Sequence, residues 1–356
     1  MLEEFESSSA KKPKNFLVGG ISFFVVIGLL AGGTFFAYDQ ITSFLSRFQV
    51  EDYQGDPGPE TTITIESGDD GAAVARKMVE ADIIKSFDAV YREMLNTDFT
   101  IYPGTYSFPT QISGATALRI LIEGKNRVVT QVTIPEGWRI QQIREELIAV
   151  FGFTVDEINQ ALESQAARVS DAAPTMEGYL FPATYTFDPG ATAETVVSTM
   201  VDRMEAELES YGLKLIESHD LLSLAALIQA EGKIKSDFFK ISRVFANRLE
   251  VGMPLQSDPT VKYRYEGEQS NFTNGVGDSS NPFNTYIYGG YPVGPVGNPG
   301  SLAIEAALRP ADGDWLYFVS IDLRTGETVF SETLAEHERA AELYRAWLRA
   351  NPNWND

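Results

Sequence analysis

The chain of 356 residues has no cysteine and only two histidines, His219 and His337. The lack of cysteine excludes thiolate nucleophiles, disulfide bonds and cysteine-ligated zinc. Two histidines so far apart argue against a histidine-rich metal site, and we expect His337, on the last predicted helix, to be structural. Basic residues are also scarce: 28 Lys and Arg stand against 50 Asp and Glu, for a net charge of −22. Nucleic acid is therefore a poor partner, because its phosphates require cations.

A long uncharged run, NFLVGGISFFVVIGLLAGGTFFAY, occupies residues 15–38. At about 1.5 Å per residue it can cross a hydrocarbon core of roughly 30 Å as a helix. Lys11, Lys12 and Lys14 precede it, which predicts a cytoplasmic tail at residues 1–14 and an extracytoplasmic remainder. A cleaved signal peptide has a shorter apolar segment, and a buried core helix lacks such flanks. The sequence predicts one uncleaved anchor in the cell membrane.

Residues 39–61 are predicted to form a linker, whose last part is rich in glycine, proline and acidic residues. An internal repeat follows it. ITIESGDDGAAVARKMV begins at Ile63, and VTIPEGWRIQQIREELI begins at Val132, which gives an offset of 69 that also pairs Gly68 with Gly137. Each copy predicts a strand, a glycine turn and two helices. The alternative is a chance similarity of two amphipathic segments. The helix positions that we expect in the core are Val74, Met78, Ile143 and Leu147.

The predicted fold class is α+β, with the repeats at residues 62–170 and a mixed α/β domain at residues 171–356. Helical periodicity covers residues 195–211 and 220–250. The stretch 264–300 is rich in Gly, Asn, Pro and Tyr, so it cannot form regular secondary structure over its whole length. WLYFVSI and ETVFS predict a hairpin, and the chain ends in an amphipathic helix capped by Thr333.

One carboxylate, Glu231, shares a helix face with apolar residues in LIQAEG. Leu224, Leu227 and Ile228 precede it by seven, four and three residues. If Gly232 ends the helix, apolar surroundings and the negative end of the helix dipole both raise the pKa of this carboxyl group. Such an acid can donate a proton near neutral pH. The alternative is an ordinary exposed glutamate in the last turn.

Two further segments carry polar side chains suited to a sugar ligand. In MPLQSDPTVKY, strand-like alternation places Gln256, Asp258 and Thr260 on one face. In NPFNTYIYGGYPVGPVGNPGS, Asn284 and Tyr286 combine an amide with an aromatic face on a predicted loop. A plain turn and a structural loop are the respective alternatives.

Several motifs together resemble the YceG-like endolytic murein transglycosylase family. They are EGYLFPATY, AALIQAEG, FANRLEVGMPLQSDPTVKY, NTYIYGGYPVGPVGNPG, AALRPADGDWLYFV and SETLAEH, in matching order over residues 60–345. The resemblance implies a membrane-anchored lytic transglycosylase that cuts nascent peptidoglycan strands internally and leaves 1,6-anhydro-muramic acid ends. It also implies a LysM-like N-terminal region, no metal or organic cofactor, and peptidoglycan synthases of the elongation or division machinery as candidate partners.

The family's catalytic acid corresponds to Glu231, which implies one glutamate acting first as acid and then as base. Gln256, Asp258, Thr260, Asn284 and Tyr286 are the predicted substrate-binding residues. The chain departs from the family pattern at Gln229, where the family has a second acid, at Ala183, in place of an aspartate, and at Thr328, in place of a histidine. Two alternatives stay open: a muramidase that uses water, and a non-catalytic anchored scaffold that binds peptidoglycan.

Overall fold

A computed structural model describes residues 50–263 and 275–352 of the chain. The predicted tail at 1–14, the predicted anchor at 15–38 and residues 39–49 of the linker lie outside the described residues. Within the described part, none of the helices combines the length and apolar character needed to cross a membrane. The contacts divide the chain into two compact units, which meet in sequence between Arg127 and Val128.

The first unit is a small sheet covered by helices. Its strands are β1 (Glu60–Ile65), β2 (Gly104–Pro109) and the short β3 (Arg127–Val128), and its helices are α1 (Gly71–Glu80), α2 (Phe87–Leu95) and α3 (Gly114–Glu123). The strands lie in the order β1-β2-β3, and β1 runs antiparallel to β2. Asp70 caps α1 by accepting a hydrogen bond from the Ala73 amide at 2.7 Å.

The second unit contains more helix than sheet. Its elements in chain order are β4 (Thr130–Thr133), α4 (Ile140–Phe151), α5 (Val155–Ser164), β5 (Thr184–Phe187), α6 (Ala193–Glu209), α7 (His219–Glu231), α8 (Lys235–Glu250), α9 (Asp258–Lys262), α10 (Ser301–Leu308), β6 (Tyr317–Asp322), β7 (Glu327–Ser331) and α11 (Leu334–Ala350). Strands β4 and β5 form one antiparallel pair, and β6 and β7 form another. Helix α7 packs against α8 and α10, while α11 packs against the β6–β7 hairpin. The α+β class, the hairpin and the Thr333 cap are confirmed.

Both repeats have the predicted order of strand, glycine turn and two helices. Gly68 and Gly137 adopt φ angles of +96° and +79°, which a side chain disfavours, so glycine is required at both turns. All four predicted helix positions are buried, at 0–1% exposure. These four core assignments, at Val74, Met78, Ile143 and Leu147, are confirmed.

The units divide the chain earlier than the expected boundary between residues 170 and 171. The second repeat belongs to the second unit, because α4 and α5 bury their apolar faces in the same core as α6 and α7. Ile143 and Leu147 join Tyr179 and Met200 in that core. The two copies are therefore similar in local structure but belong to different compact units.

Candidate active site

Glu231 is the last residue of α7, and Gly232 ends the helix in an extended conformation with φ −78° and ψ 123°. Leu224, Leu227 and Ile228 on the same helix are buried. A Cβ atom at Gly232 would lie 2.2 Å from Cε1 of Phe238, so only glycine lets α8 pack so close to the end of α7. The predicted placement of the acid at the end of a buried helix is confirmed.

Among the described residues, the Glu231 carboxyl group accepts one strong hydrogen bond, and the residue as a whole is partly exposed. The donor is the Ser257 hydroxyl, whose Oγ lies 2.7 Å from Oε1 of Glu231. Burial raises the pKa of Glu231 to about 6, and the negative charge of Asp258 acts in the same direction. The Ser257 hydrogen bond and the positive charges of Lys262 and Arg248 oppose this shift. The group can therefore exchange a proton near neutral pH.

The carboxyl group faces a cavity of about 620 Å³ within the second unit. One wall comes from the end of α7, the segment before α9 and the loop that holds Tyr286. The other comes from β6 and α11 and includes Tyr317, His337 and Tyr344. A cavity of this size suits a ligand of one or two sugar rings, and its aromatic and polar lining matches the faces and hydroxyl groups of sugars.

Three of the predicted substrate-binding residues line this cavity together with Glu231. They are Gln256, Asp258 and Tyr286. The Tyr286 hydroxyl donates to Oδ1 of Asp258 at 2.6 Å, so the two side chains form a fixed pair. Burial and the Asp258 contact raise the pKa of Tyr286, which keeps its hydroxyl protonated as the donor.

The other two predicted residues, Thr260 and Asn284, have 0% exposure and lie outside the cavity wall. Thr260 donates to the Ser257 carbonyl at 2.6 Å, and its Oγ1 lies 2.9 Å from Oγ1 of Thr285. The Asn284 side chain donates to the carbonyls of three residues of its own loop, Gly275, Val276 and Asp278. In this structure both side chains are buried outside the cavity wall, and their polar groups form the hydrogen bonds that hold the loops. A direct substrate contact by either residue stays a prediction.

The strand expected at Gln256–Thr260 is also wrong, because residues 258–262 form helix α9. Pro259 lies in the first turn, where a missing N–H costs nothing, and Ser257 is the N-cap residue. Gln256 adopts φ +48°, which no strand residue does. This turn directs Ser257 toward Glu231, whereas alternation had placed the serine on the opposite face from Asp258.

The sequence analysis missed Ser257, Arg248 and Tyr317 as members of the site. Arg248 is buried and donates to the carbonyls of Leu316 at 2.7 Å and Leu255 at 2.6 Å. Its guanidinium also lies over the Tyr317 ring, 5.5 Å from the centroid. Only the FANRLEVG motif could have drawn attention to this arginine.

His337 lines the cavity, although the sequence favoured a structural role for it. Its ring stacks on Tyr317 at 5.3 Å, and its buried Nδ1 finds no hydrogen-bond partner among the described residues. Burial and the positive charge of Arg248 lower the pKa of His337, so the ring is neutral at pH 7. Ala183 and Thr328, where the family pattern is broken, are not part of the cavity wall. Residues 50–263 and 275–352 hold no cluster of acidic and histidine side chains placed to bind a metal ion.

A second buried carboxyl group, that of Glu177 in EGYLFP, belongs to the same unit. It is 4% exposed and accepts from the Ile140 amide at 3.1 and 3.2 Å, the Asn298 side chain at 2.9 Å and the Tyr263 hydroxyl at 3.2 Å. Burial raises its pKa to about 7. Asn298 also bonds the Trp138 carbonyl, so this group ties three distant segments together.

Comparisons with known proteins agree with this description. The YceG-like family matches residues 63–343. An endolytic murein transglycosylase of Bacillus subtilis is 30% identical over 89% of this chain and 91% of its own length. One from Streptococcus pneumoniae is 29% identical over 90% of this chain, which spans only 64% of that protein. The crystal structure of a yceG-like protein from Listeria monocytogenes aligns with TM-score 0.50 and 26% identity, over 79% of this chain and 99% of that one. The chain belongs to the YceG-like family.

Proposed function

We propose that the protein is a lytic transglycosylase that cleaves peptidoglycan strands internally, with Glu231 as its only acid and base. The observation that supports this most directly is the partly buried Glu231 side chain at the cavity, whose pKa is raised by burial to about 6 and therefore suits proton transfer in both directions. The relatives named endolytic murein transglycosylases supply the substrate class.

In the first half-step, protonated Glu231 gives its proton to the oxygen that links muramic acid to the next glucosamine. The bond from muramic C1 to that oxygen then breaks, and C1 acquires oxocarbenium character. The neighbouring Asp258 carboxylate, held by Tyr286, lies in the same cavity and stabilises positive charge there. Gln256 and the aromatic wall hold the sugar rings.

In the second half-step, the muramic C6 hydroxyl attacks C1 and transfers its proton to the Glu231 carboxylate. The ring closes as a 1,6-anhydro sugar, and the acid returns to its starting state without consuming water. Arg248 and the Ser257 hydroxyl stabilise the carboxylate between the two half-steps, because both favour its charged form. One residue thus serves in both directions, and no cofactor is required.

The remaining parts of the proposal concern location. Residues 15–38 anchor the protein in the cell membrane with residues 1–14 in the cytoplasm, and the two described units lie on the outer side, next to nascent strands. The first repeat, within the first unit, serves as a LysM-like element that helps to hold glycan. Synthases of the elongation or division machinery are the proposed protein partners. A non-catalytic scaffold would need no proton-exchanging acid in its cleft.

The presence of Asp258 beside Glu231 supports a second candidate, a muramidase. Two carboxyl groups flanking the bond would allow water to attack C1 in place of the C6 hydroxyl. Mass spectrometry of fragments released by the full-length protein in detergent separates the two, because hydrolysis makes each product heavier by one water. We expect anhydro ends from the wild type and none from Glu231→Gln. Release of equal fragments by Glu231→Gln would refute the assignment of the acid.

A further inference from the structure

A second cavity, of about 550 Å³, lies in the second unit and takes no part in the proposed reaction. We call it the arginine pocket and define it by Arg139, Arg144, Val169, Ser170, Thr175 and Met176, all of which line it. Glu177 and Tyr263 close its inner end. The pocket is therefore bounded by the start of α4, the segment after α5 and the residue that follows α9.

The two guanidinium groups are the unusual feature of this pocket. The buried Nε of Arg144 has no hydrogen-bond partner among the described residues. Arg139 lies over the Tyr263 ring at 5.0 Å and donates one N–H to the Tyr263 carbonyl at 3.4 Å. Within residues 50–263 and 275–352 neither arginine makes a direct salt bridge to a carboxylate, although the positive charge of Arg139 acts on Glu177 in the same pocket and lowers its pKa against the effect of burial. A buried N–H without a partner is costly, and the chain carries 50 acidic residues that could have supplied one.

The remaining walls restrict the chemistry of the ligand. Val169 and Met176 are buried apolar side chains, which suit a small methyl-bearing group. The hydroxyls of Ser170 and Thr175 add polar contacts, and the exposed acids Glu163 and Asp171 complete the lining. Such a pocket matches a peptide that carries free carboxylates, small side chains and one ammonium group.

The pocket is linked to Glu231 by a short rigid element. Ser257, at the start of α9, donates to Glu231, and Tyr263, at its end, donates to Glu177 in the floor of the pocket. The five residues of α9 lie between them, and the six steps from Ser257 to Tyr263 span about 9 Å along the helix axis. A strand bound at Glu231 therefore passes close enough for a substituent to reach the pocket.

We infer that the arginine pocket binds the peptide stem of the glycan strand, with Arg144 and Arg139 holding a stem carboxylate. The stem is carried on muramic acid and combines alanine methyl groups, carboxylates and a diamino residue. This inference rests on the proposed function, since it adds stem recognition to the same cleavage site. It makes the enzyme select strands that still carry their peptides.

The test uses the full-length protein in detergent and the free peptide L-Ala-γ-D-Glu-L-Lys-D-Ala-D-Ala as the probe in calorimetric titrations. We expect Arg144→Met to weaken binding roughly tenfold or more, since a charge-assisted hydrogen bond is lost. Arg119→Met is the matched control, because Arg119 is an exposed arginine of α3 whose ion pair, with Glu123, involves none of the pocket residues. Circular dichroism and the thermal midpoint check that each variant is folded, and Arg144→Lys, which keeps the charge but not the planar fork, should bind with intermediate affinity.

A second measurement compares cleavage of strands with stems and strands stripped of stems by an amidase. The wild type should cleave stem-bearing strands faster than stripped strands. In Arg144→Met the ratio of the two cleavage rates should fall toward one. No binding of the peptide by the wild type, or equal binding by Arg144→Met, overturns the inference. If the protein binds the peptide but cleaves neither kind of strand, the proposed function fails while the pocket assignment stands.

Discussion

Glu231 and Glu177 lie at opposite ends of the short helix α9, and burial raises the pKa of both. Glu177 is 4% exposed, and its oxygens are occupied by donors from Ile140, Asn298 and Tyr263. Glu231 accepts from a single donor in the described part of the chain, Ser257, and faces an open cavity. A raised pKa therefore does not by itself identify a catalytic acid. Access to a ligand and unused hydrogen-bonding capacity separate the two.

The largest expected effect is the difference in turnover between variants that lack the transferable proton of Glu231 or of Glu177. Glu231→Gln keeps the shape of the side chain but cannot donate or accept the proton, so turnover should fall by about 10²–10⁴-fold or more. Glu177→Gln should retain most of the activity, because that carboxyl group is enclosed by its own partners. Fragment release measured by chromatography checks both variants. Comparable losses from the two would show that Glu177 takes part in the reaction or shapes the site that does.

The pH dependence of turnover sharpens the role assigned to Ser257. The reaction starts from protonated Glu231, so kcat/KM should fall as the pH rises through about 6. The Ser257 hydrogen bond lowers the pKa of Glu231, so its loss in Ser257→Ala should move this falling limb to higher pH. Thr199→Ala, at a partly exposed position on α6, is a suitable control. If the pH at which kcat/KM falls is the same in Ser257→Ala as in the wild type, this fall belongs to a group other than Glu231.

The raised pKa of Glu177 should affect the pH dependence of stability rather than turnover. Its folded pKa of about 7 lies above the ordinary value of 4.5, so the folded state binds the proton more tightly than the unfolded state. The resulting stabilisation is complete below pH 4.5 and is lost as the pH rises through about 7. At about 1.4 kcal/mol per pKa unit, the shift from 4.5 to about 7 corresponds to no more than about 3.5 kcal/mol.

Glu177→Gln has no proton to lose, so its free energy of unfolding should decline less between pH 5 and pH 8 than that of the wild type. Urea denaturation at a series of pH values measures this difference. Parallel curves for the two proteins would mean that Glu177 keeps an ordinary pKa despite its burial, and the comparison with Glu231 would lose its basis.

The smallest effect is expected at Gln229, two residues before Glu231. Its side chain accepts from the Gly300 amide at 3.2 Å, at the start of α10, and it is not part of the cavity wall. Gln229→Ala should therefore keep most of the activity and lose about 0.5–1.5 kcal/mol of stability, the typical net contribution of one hydrogen bond. Thermal unfolding and fragment release measure the two quantities. A collapse of activity without loss of stability would place Gln229 in the reaction.

Local patterns in the sequence predicted much of the fold and the acid itself. Apolar spacing identified the repeat helices with their buried Ile143 and Leu147, and the run ending in Gly232 placed Glu231 at a buried helix end. The same reasoning failed at Thr260, because strand-like alternation ignored the N-cap serine and the proline that start α9. The division into compact units could not be read from the repeat, since similarity between repeats does not reveal which core each copy joins.

Four properties could be inferred from the amino-acid sequence without a structure. They are the charge balance, the absence of thiol chemistry, the helical periodicity and the position of one acid on an apolar helix face. Those properties depend on composition or on residues a few positions apart, where helix geometry dictates which side chains share a face. Only the tertiary structure decided that Ser257, Asp258, Tyr286 and His337 surround that acid. These residues come from segments far apart in the chain, and the pKa and access of Glu231 depend on how closely those segments pack around it.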